Sequence, residues 1–351
     1  MSVKRRTVSI LDFLVMALLT TSSALAGQWT KLSPLPDKMG FAGSFAGTSN
    51  GVLIVAGGAN FPGKKPWEGG KKVWYDSVFV LKKADGKWTT AGKLPRPLGY
   101  GVSVAHCNEI ICVGGGDAER NYADAFRLEW KDDRLVTSNL PPLPKPLANA
   151  CGALVGDNLY VAGGQESPSD TSTSNALYRI DLAAAKPSWV QLQACPGGGR
   201  ILAVAAGFDG AFWMVGGVDL FSGKGGLPER RYLKDAYRYD PGKGWKRIAD
   251  LPHAVTAAPS PAPTDALGFY ILGGDDGSQI GIDPSKHRGF NQTILRYDLK
   301  ADKWIDSGTV VWPRVTVPCV AWEKSWVLPG GEIHPGVRSP DVVCFTPEMK
   351  K

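Results

Sequence analysis

The sequence predicts an all-β chain, a six-bladed β-propeller whose N-terminal strand closes the C-terminal blade. Three observations carry that expectation. Six apolar runs end in Gly-Gly doublets, at Gly57-Gly58, Gly114-Gly115, Gly163-Gly164, Gly216-Gly217, Gly273-Gly274 and Gly330-Gly331, spaced 57, 49, 53, 57 and 57 residues apart. A repeat near 50 residues is the mark of an array of supersecondary units, and 43 glycines with 26 prolines imply many tight turns, with helices short or absent. The last repeat ends before its outer strand, while an unclaimed strand of that kind stands near the N-terminus.

Taken in order, residues 1–26 read as an export signal, with a basic start (Lys4, Arg5, Arg6), a mostly apolar run from Leu11 to Leu19 and a small-x-small site at Ala24-Leu25-Ala26. The apolar run falls short of the ~20 residues of a membrane span, and no later segment reaches that length uninterrupted. Residues 27–351 are therefore expected to be one exported propeller, periplasmic or secreted and free of the membrane once the signal is removed. Losing Lys4, Arg5, Arg6 and Asp12 lowers the formal net charge from +7 to +5. With no Lys/Arg-rich run to follow a phosphate backbone, nucleic acid is not an expected partner.

Within each repeat a variable loop follows the doublet, and then a strand with apolar and aromatic alternation: 77–81, 123–128, 176–182, 236–240, 293–299 and 341–345. A short turn leads to an outer strand marked by Trp88, Trp189, Trp245 or Trp304; residues 134–140 fill that slot in the second repeat without an initial Trp. Corners at Pro95, Pro144, Pro196, Pro252 and Pro313 follow, and then strands of small residues such as 99–104, 148–153 and 202–206. Small residues suit the crowded inner edge of a radial array. Each period thus holds four strands and resembles a kelch repeat. The strand missing from the last blade is expected at 28–32, with Trp29; pairing it there removes an open sheet edge.

Several chemistries lack their residues. The four histidines, His106, His253, His287 and His334, form no His-x-His or His-x-x-x-His pair, which leaves copper-radical chemistry short of ligands. No Gly-x-Ser-x-Gly elbow or P-loop occurs, nor the Ser-x-Asp-x-Gly-x-x-Trp boxes of hydrolytic sialidases. Of the six cysteines, Cys107/Cys112 and Cys319/Cys344 could each pair within one repeat or remain buried thiols; Cys151 and Cys195 complete the set, and their scatter opposes a zinc site. No metal ligand set is assigned.

Two groups of residues point towards an anion. Lys38, Arg96, Lys145, Arg200, His253 and Arg314 stand at the corners before the inner strands. Converging on one mouth they would focus field on an anionic small molecule; alternatively they brace neighbouring blades. The long first loop, 59–75, adds aromatics and lysines that suit a sugar or a carboxylate; the fourth and fifth loops carry Arg230, Arg231, Lys286, His287 and Arg288.

The run from Gly40 to Phe61, with Lys71-Lys72 and Tyr100-Gly-Val-Ser103, resembles the N-acetylneuraminate epimerase (sialic acid mutarotase) family. Gly331-Glu332-Ile-His-Pro-Gly-Val-Arg338 is similar to that family's Gly-Glu-x-x-Pro-Gly-x-Arg motif. Its place at the end of the chain, not ahead of the other motifs, resembles the cyclically permuted branch; a closed ring tolerates termini at any blade boundary. The resemblance implies catalytic roles for Glu332 and Arg338, an acidic sugar as substrate, N-acetylneuraminate first, and no cofactor. Anomer exchange needs one group to take a proton from the anomeric hydroxyl and another to give one to the ring oxygen. Glu332 suits proton transfer and Arg338 suits a carboxylate grip or polarisation of the ring oxygen; as an alternative the two form an ion pair that ties the loop down. Candidates for holding the sugar are Asn60, Lys72, Arg96, Tyr100, Asn149, Arg200 and Arg314. The competing function is a non-catalytic propeller that binds carbohydrate or protein.

Overall fold

A computed structural model describes residues 25–348. The expected signal therefore lies outside the described residues except for Leu25 and Ala26. Leu25 donates its N–H to the Ser307 carbonyl (2.7 Å), and the Ala26 carbonyl accepts from Glu348 N–H (2.9 Å).

Six four-stranded antiparallel sheets form the six blades. Blade 1 runs outward as Phe45–Ser49, Val52–Ala56, Ser77–Leu81 and Thr89–Lys93, and blades 2 to 5 repeat that order. Blade 6 takes Val320–Trp322, Ser325–Pro329 and Val342–Pro347 from the C-terminal end and Gly27–Leu32 from the N-terminal end. Trp29 pairs across from Phe345, their rings 4.9 Å apart, so the expected closure is what the chain does. The only helical turns among the described residues are three of 3-10 type, in the loops.

The doublets have a local reason. Their first glycines have φ of 60° to 81° and their second 90° to 106°, a region almost closed to residues with a Cβ. So turned, the second glycine donates its N–H to a carbonyl of the next blade: Gly58 to Leu98 (2.8 Å), Gly115 to Leu147 (2.7 Å), Gly164 to Arg200 (2.8 Å), Gly217 to Val255 (2.8 Å) and Gly331 to Phe41 (2.7 Å). The last of these joins the two ends of the ring. The tryptophans act at the outer edge, where the indole N–H of Trp88, Trp189, Trp245 and Trp304 donates to Ser33, Pro141, Gln193 and Ala249 of the preceding blade. Between each pair of neighbours lies an apolar cluster, such as Phe45, Ile54 and Val78 against Ile110, Cys112 and Phe126. Burying each such side chain stabilises by about 1.5–3 kcal/mol, so the core is distributed over six interfaces.

One residue per blade, Gly43, Tyr100, Asn149, Leu202, Ala257 and Thr316, lies at φ of 51° to 67°. Each donates its N–H to the carbonyl of its counterpart in the preceding blade at 2.7–2.8 Å, and Gly43 closes the circle onto Thr316. A collar of six backbone hydrogen bonds results. Left-handed backbone costs roughly 1–2 kcal/mol for a residue with a Cβ, so five of the six positions carry strain that the collar must offset. The turn also interrupts the strands expected at 99–104, 148–153 and 202–206; regular pairing begins after it, at Val102–His106, Cys151–Val155 and Val204–Phe208.

All six cysteines are free, five buried and Cys107 exposed. Neither expected pair can close, because Cys319 and Cys344 pack into the clusters on opposite sides of blade 6, and Cys107 sits in a turn while Cys112 is in the core.

Candidate active site

The collar divides an axial channel. On the doublet side it opens into a chamber of about 730 Å³. At the collar it narrows to about 80 Å³, then widens to about 240 Å³ at the opposite face. Tyr100, Asn149, Leu202, Ala257 and Thr316 of the collar form the chamber floor. Around them stand the residues that follow each doublet, because each makes an antiparallel bridge to the residue before its collar position: Ala42 with Ala59, Gly99 with Gly116, Ala148 with Gln165, Ile201 with Val218, Thr256 with Asp275 and Val315 with Glu332. The repeat itself therefore fixes where the Glu332 carboxylate points.

Glu332–His334 and Val337–Arg338 form a hairpin in which Glu332 and Arg338 are paired residues. Gly336 N–H donates to Glu332 Oε1 at 2.7 Å, and Arg338 Nη2 lies 3.2 Å from Oε2. The Arg338 guanidinium stacks 4.7 Å above the Phe61 ring and donates from Nη2 to the Tyr100 hydroxyl at 3.3 Å. Lys72 Nζ stands 5.0 Å from the Tyr100 ring centre and 5.3 Å from that of Trp74. Side chains of blades 6, 1 and 2 thus meet on one wall. The Arg338 side chain is 4% exposed, yet its Nε and Nη1 have no hydrogen-bond partner among the described residues. Two buried guanidinium donors without an acceptor cost free energy unless something from the chamber accepts from them.

The facing wall differs. Tyr232 donates to Asp275 Oδ2 at 3.2 Å, and Asp275 Oδ1 accepts from Gly277 N–H at 3.0 Å. Burial, with Asp275 beside it, pushes the Tyr232 phenol above its ordinary pKa. His287 lies 6.1 Å from His334, ring to ring, and burial holds its pKa below the usual histidine value.

Of the sequence-derived candidates, Glu332, Arg338, Lys72, Tyr100 and Asn149 line the chamber. Asn60 stands behind the wall, buried: its Nδ2 donates to Asp37 Oδ1 (3.2 Å) and the Gly40 carbonyl (2.9 Å), and its Oδ1 accepts from Tyr75 (2.9 Å). The ring of basic corners does not form. Arg96 stacks on Tyr122 and lies 3.3 Å from Asp124, away from the chamber. Arg200 has no exposed side-chain surface; it bridges both Asp235 oxygens (2.8 and 3.0 Å) and the carbonyls of Gly216 and Gly197 (3.0 Å each). Arg314 donates to the carbonyls of Gly330 (2.6 Å), Asp341 (2.9 Å) and Trp312 (3.2 Å). The reason is positional. Arg200 and Arg314 lie two residues before the collar, where Phe41, Leu98, Leu147 and Val255 are core, whereas Arg96, Lys145 and His253 lie four before it. Burial, the largest influence, lowers the pKa of Arg314 to about 10. Arg200, Arg314 and Arg96 are braces. Gln165, Tyr232 and Asp275 were missed, while Phe61 and His287 lie in loops the sequence marked without naming them as site residues; Gln165 and Asp275 carried the same signal as Glu332, a polar residue directly after a doublet.

A family model described as N-acetylneuraminate epimerase matches residues 17–137. Over that stretch the chain is similar to the N-acetylneuraminate epimerases. Proteins named N-acetylneuraminate epimerase from Salmonella enteritidis and Salmonella arizonae are 43% and 44% identical over 106 residues, 26% of this chain and 27% of theirs. One from Haemophilus influenzae is 41% identical over 102 residues, 25% of this chain and 27% of its own. The chain matches 27% of the length of these curated relatives. Among the solved structures, that titled "Structure of YjhT" superposes with a TM-score of 0.65 over 79% of this chain and 86% of its own at 14% identity, a likeness of fold. The matched family stretch contains Phe61, Lys72 and Tyr100, while Glu332 and Arg338 lie beyond it and join them only through ring closure.

Proposed function

We propose that this propeller equilibrates the anomers of an acidic sugar, N-acetylneuraminate foremost, by proton transfer within the chamber. The observation that carries the reading is a carboxylate held at 3.2 Å from a guanidinium whose remaining two nitrogens are buried and unpartnered at the chamber wall. A planar fork of N–H donors fits a sugar carboxylate, and Lys72 adds positive charge beside it. Glu332, one oxygen held by Gly336 and the other facing Arg338, is oriented to take the proton of the anomeric hydroxyl. As that proton leaves, the bond from the anomeric carbon to the ring oxygen breaks, the ring oxygen takes a proton from solvent and the anomeric carbon becomes a carbonyl; closure on the other face reverses both transfers. The chemistry requires no cofactor. The basic start and apolar run of residues 1–26 support export, with the enzyme acting in the periplasm or outside the cell.

The test is NMR of freshly released N-acetylneuraminate. Wild type is expected to speed anomer equilibration, and Glu332→Ala to lose about 10²–10⁴-fold of that rate. Full acceleration by Glu332→Ala ends the assignment, and binding without acceleration by the wild type favours a non-catalytic carbohydrate-binding propeller. Mutarotation of neutral hexoses alone would remove the carboxylate grip from the account.

A further inference from the structure

We propose that the face opposite the chamber holds a site for one divalent transition-metal ion, with zinc the best match, built from His106, Cys107 and Asp157. The three ligand atoms lie within 4.8 Å of one another. Cys107 Sγ is 3.6 Å from His106 Nε2, and Asp157 Oδ1 is 2.9 Å from that same nitrogen. In tetrahedral zinc geometry, with Zn–N of about 2.0–2.1 Å and Zn–S of about 2.3 Å, ligating N and S atoms stand about 3.6 Å apart and N and O about 3.3 Å. The histidine and cysteine are already at the separation of a ligated pair. Asp157 would withdraw by about 0.4 Å, which its side chain, 58% exposed, is free to do. Convergence on one ring nitrogen has a further meaning: Nε2 carries at most one proton and cannot serve both neighbours well, whereas a cation in its place serves all three.

The ligands are held before any metal arrives. Cys107 and Asn108, at φ of 46° and 65°, make the two-residue turn between Val102–His106 and Glu109–Val113. Ser49 Oγ pins that turn to blade 1 by donating to the Asn108 carbonyl (2.5 Å). The His106 side chain is 13% exposed, and Asp157 comes from the equivalent turn of blade 3, so the site ties two blades together. Cys107 and Asp157 are both exposed, which gives a metal ion access and leaves solvent to supply a fourth ligand. An imidazole, a thiolate and a carboxylate favour zinc or copper over magnesium or calcium. Binding releases the thiol proton: Cys–SH and M²⁺ give Cys–S–M⁺ and H⁺. The sequence expectation that the scattered cysteines oppose a zinc site is set aside by this proposal, because the fold brings Asp157 to the neighbouring pair His106 and Cys107 from 50 residues away.

Titrating the reduced full-length protein with Co²⁺ alone tests this. A thiolate-to-cobalt charge-transfer band should saturate at one ion per chain, bleach on adding Zn²⁺, vanish in Cys107→Ser and His106→Ala, and need about tenfold more cobalt in Asp157→Asn. Cys107→Ser changes one atom in an exposed turn, so it keeps the test valid if His106→Ala fails to fold. A band that survives in Cys107→Ser, no band in the wild type, or saturation at one ion per two chains would overturn the site; unaltered affinity in Asp157→Asn would overturn the three-ligand assignment.

Discussion

Arg338→Met removes the guanidinium and keeps most of the side-chain volume. Its Nη2 reaches Glu332 at 3.2 Å and Tyr100 at 3.3 Å, while Nε and Nη1, both buried, reach nothing among the described residues. An unsatisfied buried donor costs about 1–3 kcal/mol and a hydrogen bond to a charged group contributes about 1.5–3 kcal/mol. In the free protein the substitution therefore trades one ion pair and one hydrogen bond against relief of two orphaned donors, and stability is expected to stay within about 1 kcal/mol of wild type. With an acidic sugar bound, the same two donors are the ones that lose their acceptor. At about 1.4 kcal/mol per tenfold, the loss of even one such bond raises KM for N-acetylneuraminate by roughly 10- to 150-fold. Anomer equilibration by NMR over a range of sugar concentrations, with urea unfolding in parallel, reads both quantities. An unchanged KM with a stability loss of about 3–5 kcal/mol would refute the reasoning and make Arg338 a brace.

Arg200→Met should behave in that opposite way, because a buried pair with four hydrogen bonds is broken: urea unfolding should show a loss of about 3–5 kcal/mol, with KM per folded molecule unchanged. Gly331→Ala places a Cβ 3.0 Å from Val317 Cβ and 3.1 Å from the Val315 carbonyl, at φ of 90°; it should cost at least about 1–2 kcal/mol and lower the equilibration rate by displacing the neighbouring Glu332. His287 has a folded pKa held below its unfolded value by burial. Its contribution to stability is therefore present above about pH 6.5 and lost as pH falls through the folded value. The urea midpoint should drop between pH 7.5 and 5.5 more in wild type than in His287→Gln, and equal drops would remove the histidine from the account.

Periodicity revealed the blades because each doublet, Trp and Pro corner answers a local backbone or packing demand that recurs about every fifty residues. Glu332 was legible through its resemblance to the Gly-Glu-x-x-Pro-Gly-x-Arg motif; its place beside the doublet, which Gln165 and Asp275 share, did not by itself single it out. The basic corners misled because Arg200 and Arg96 look alike in sequence, yet two residues of register separate a core position from the surface. The collar also escaped notice, since Tyr100, Asn149, Leu202, Ala257 and Thr316 share no residue type; what they share is a backbone conformation set by neighbouring blades.

By itself, then, the sequence determined the number of blades and the strand that closes the ring, because these rest on short-range periodicity and spacing; the carboxylate–guanidinium motif was legible through its resemblance to a family motif. Only the tertiary structure decided which charged groups face the chamber, that Phe61, Lys72 and Tyr100 meet Arg338, and that His106 and Cys107 stand against Asp157. Those meetings join residues dozens to hundreds of positions apart, and they exist only once the blades are packed around a common axis.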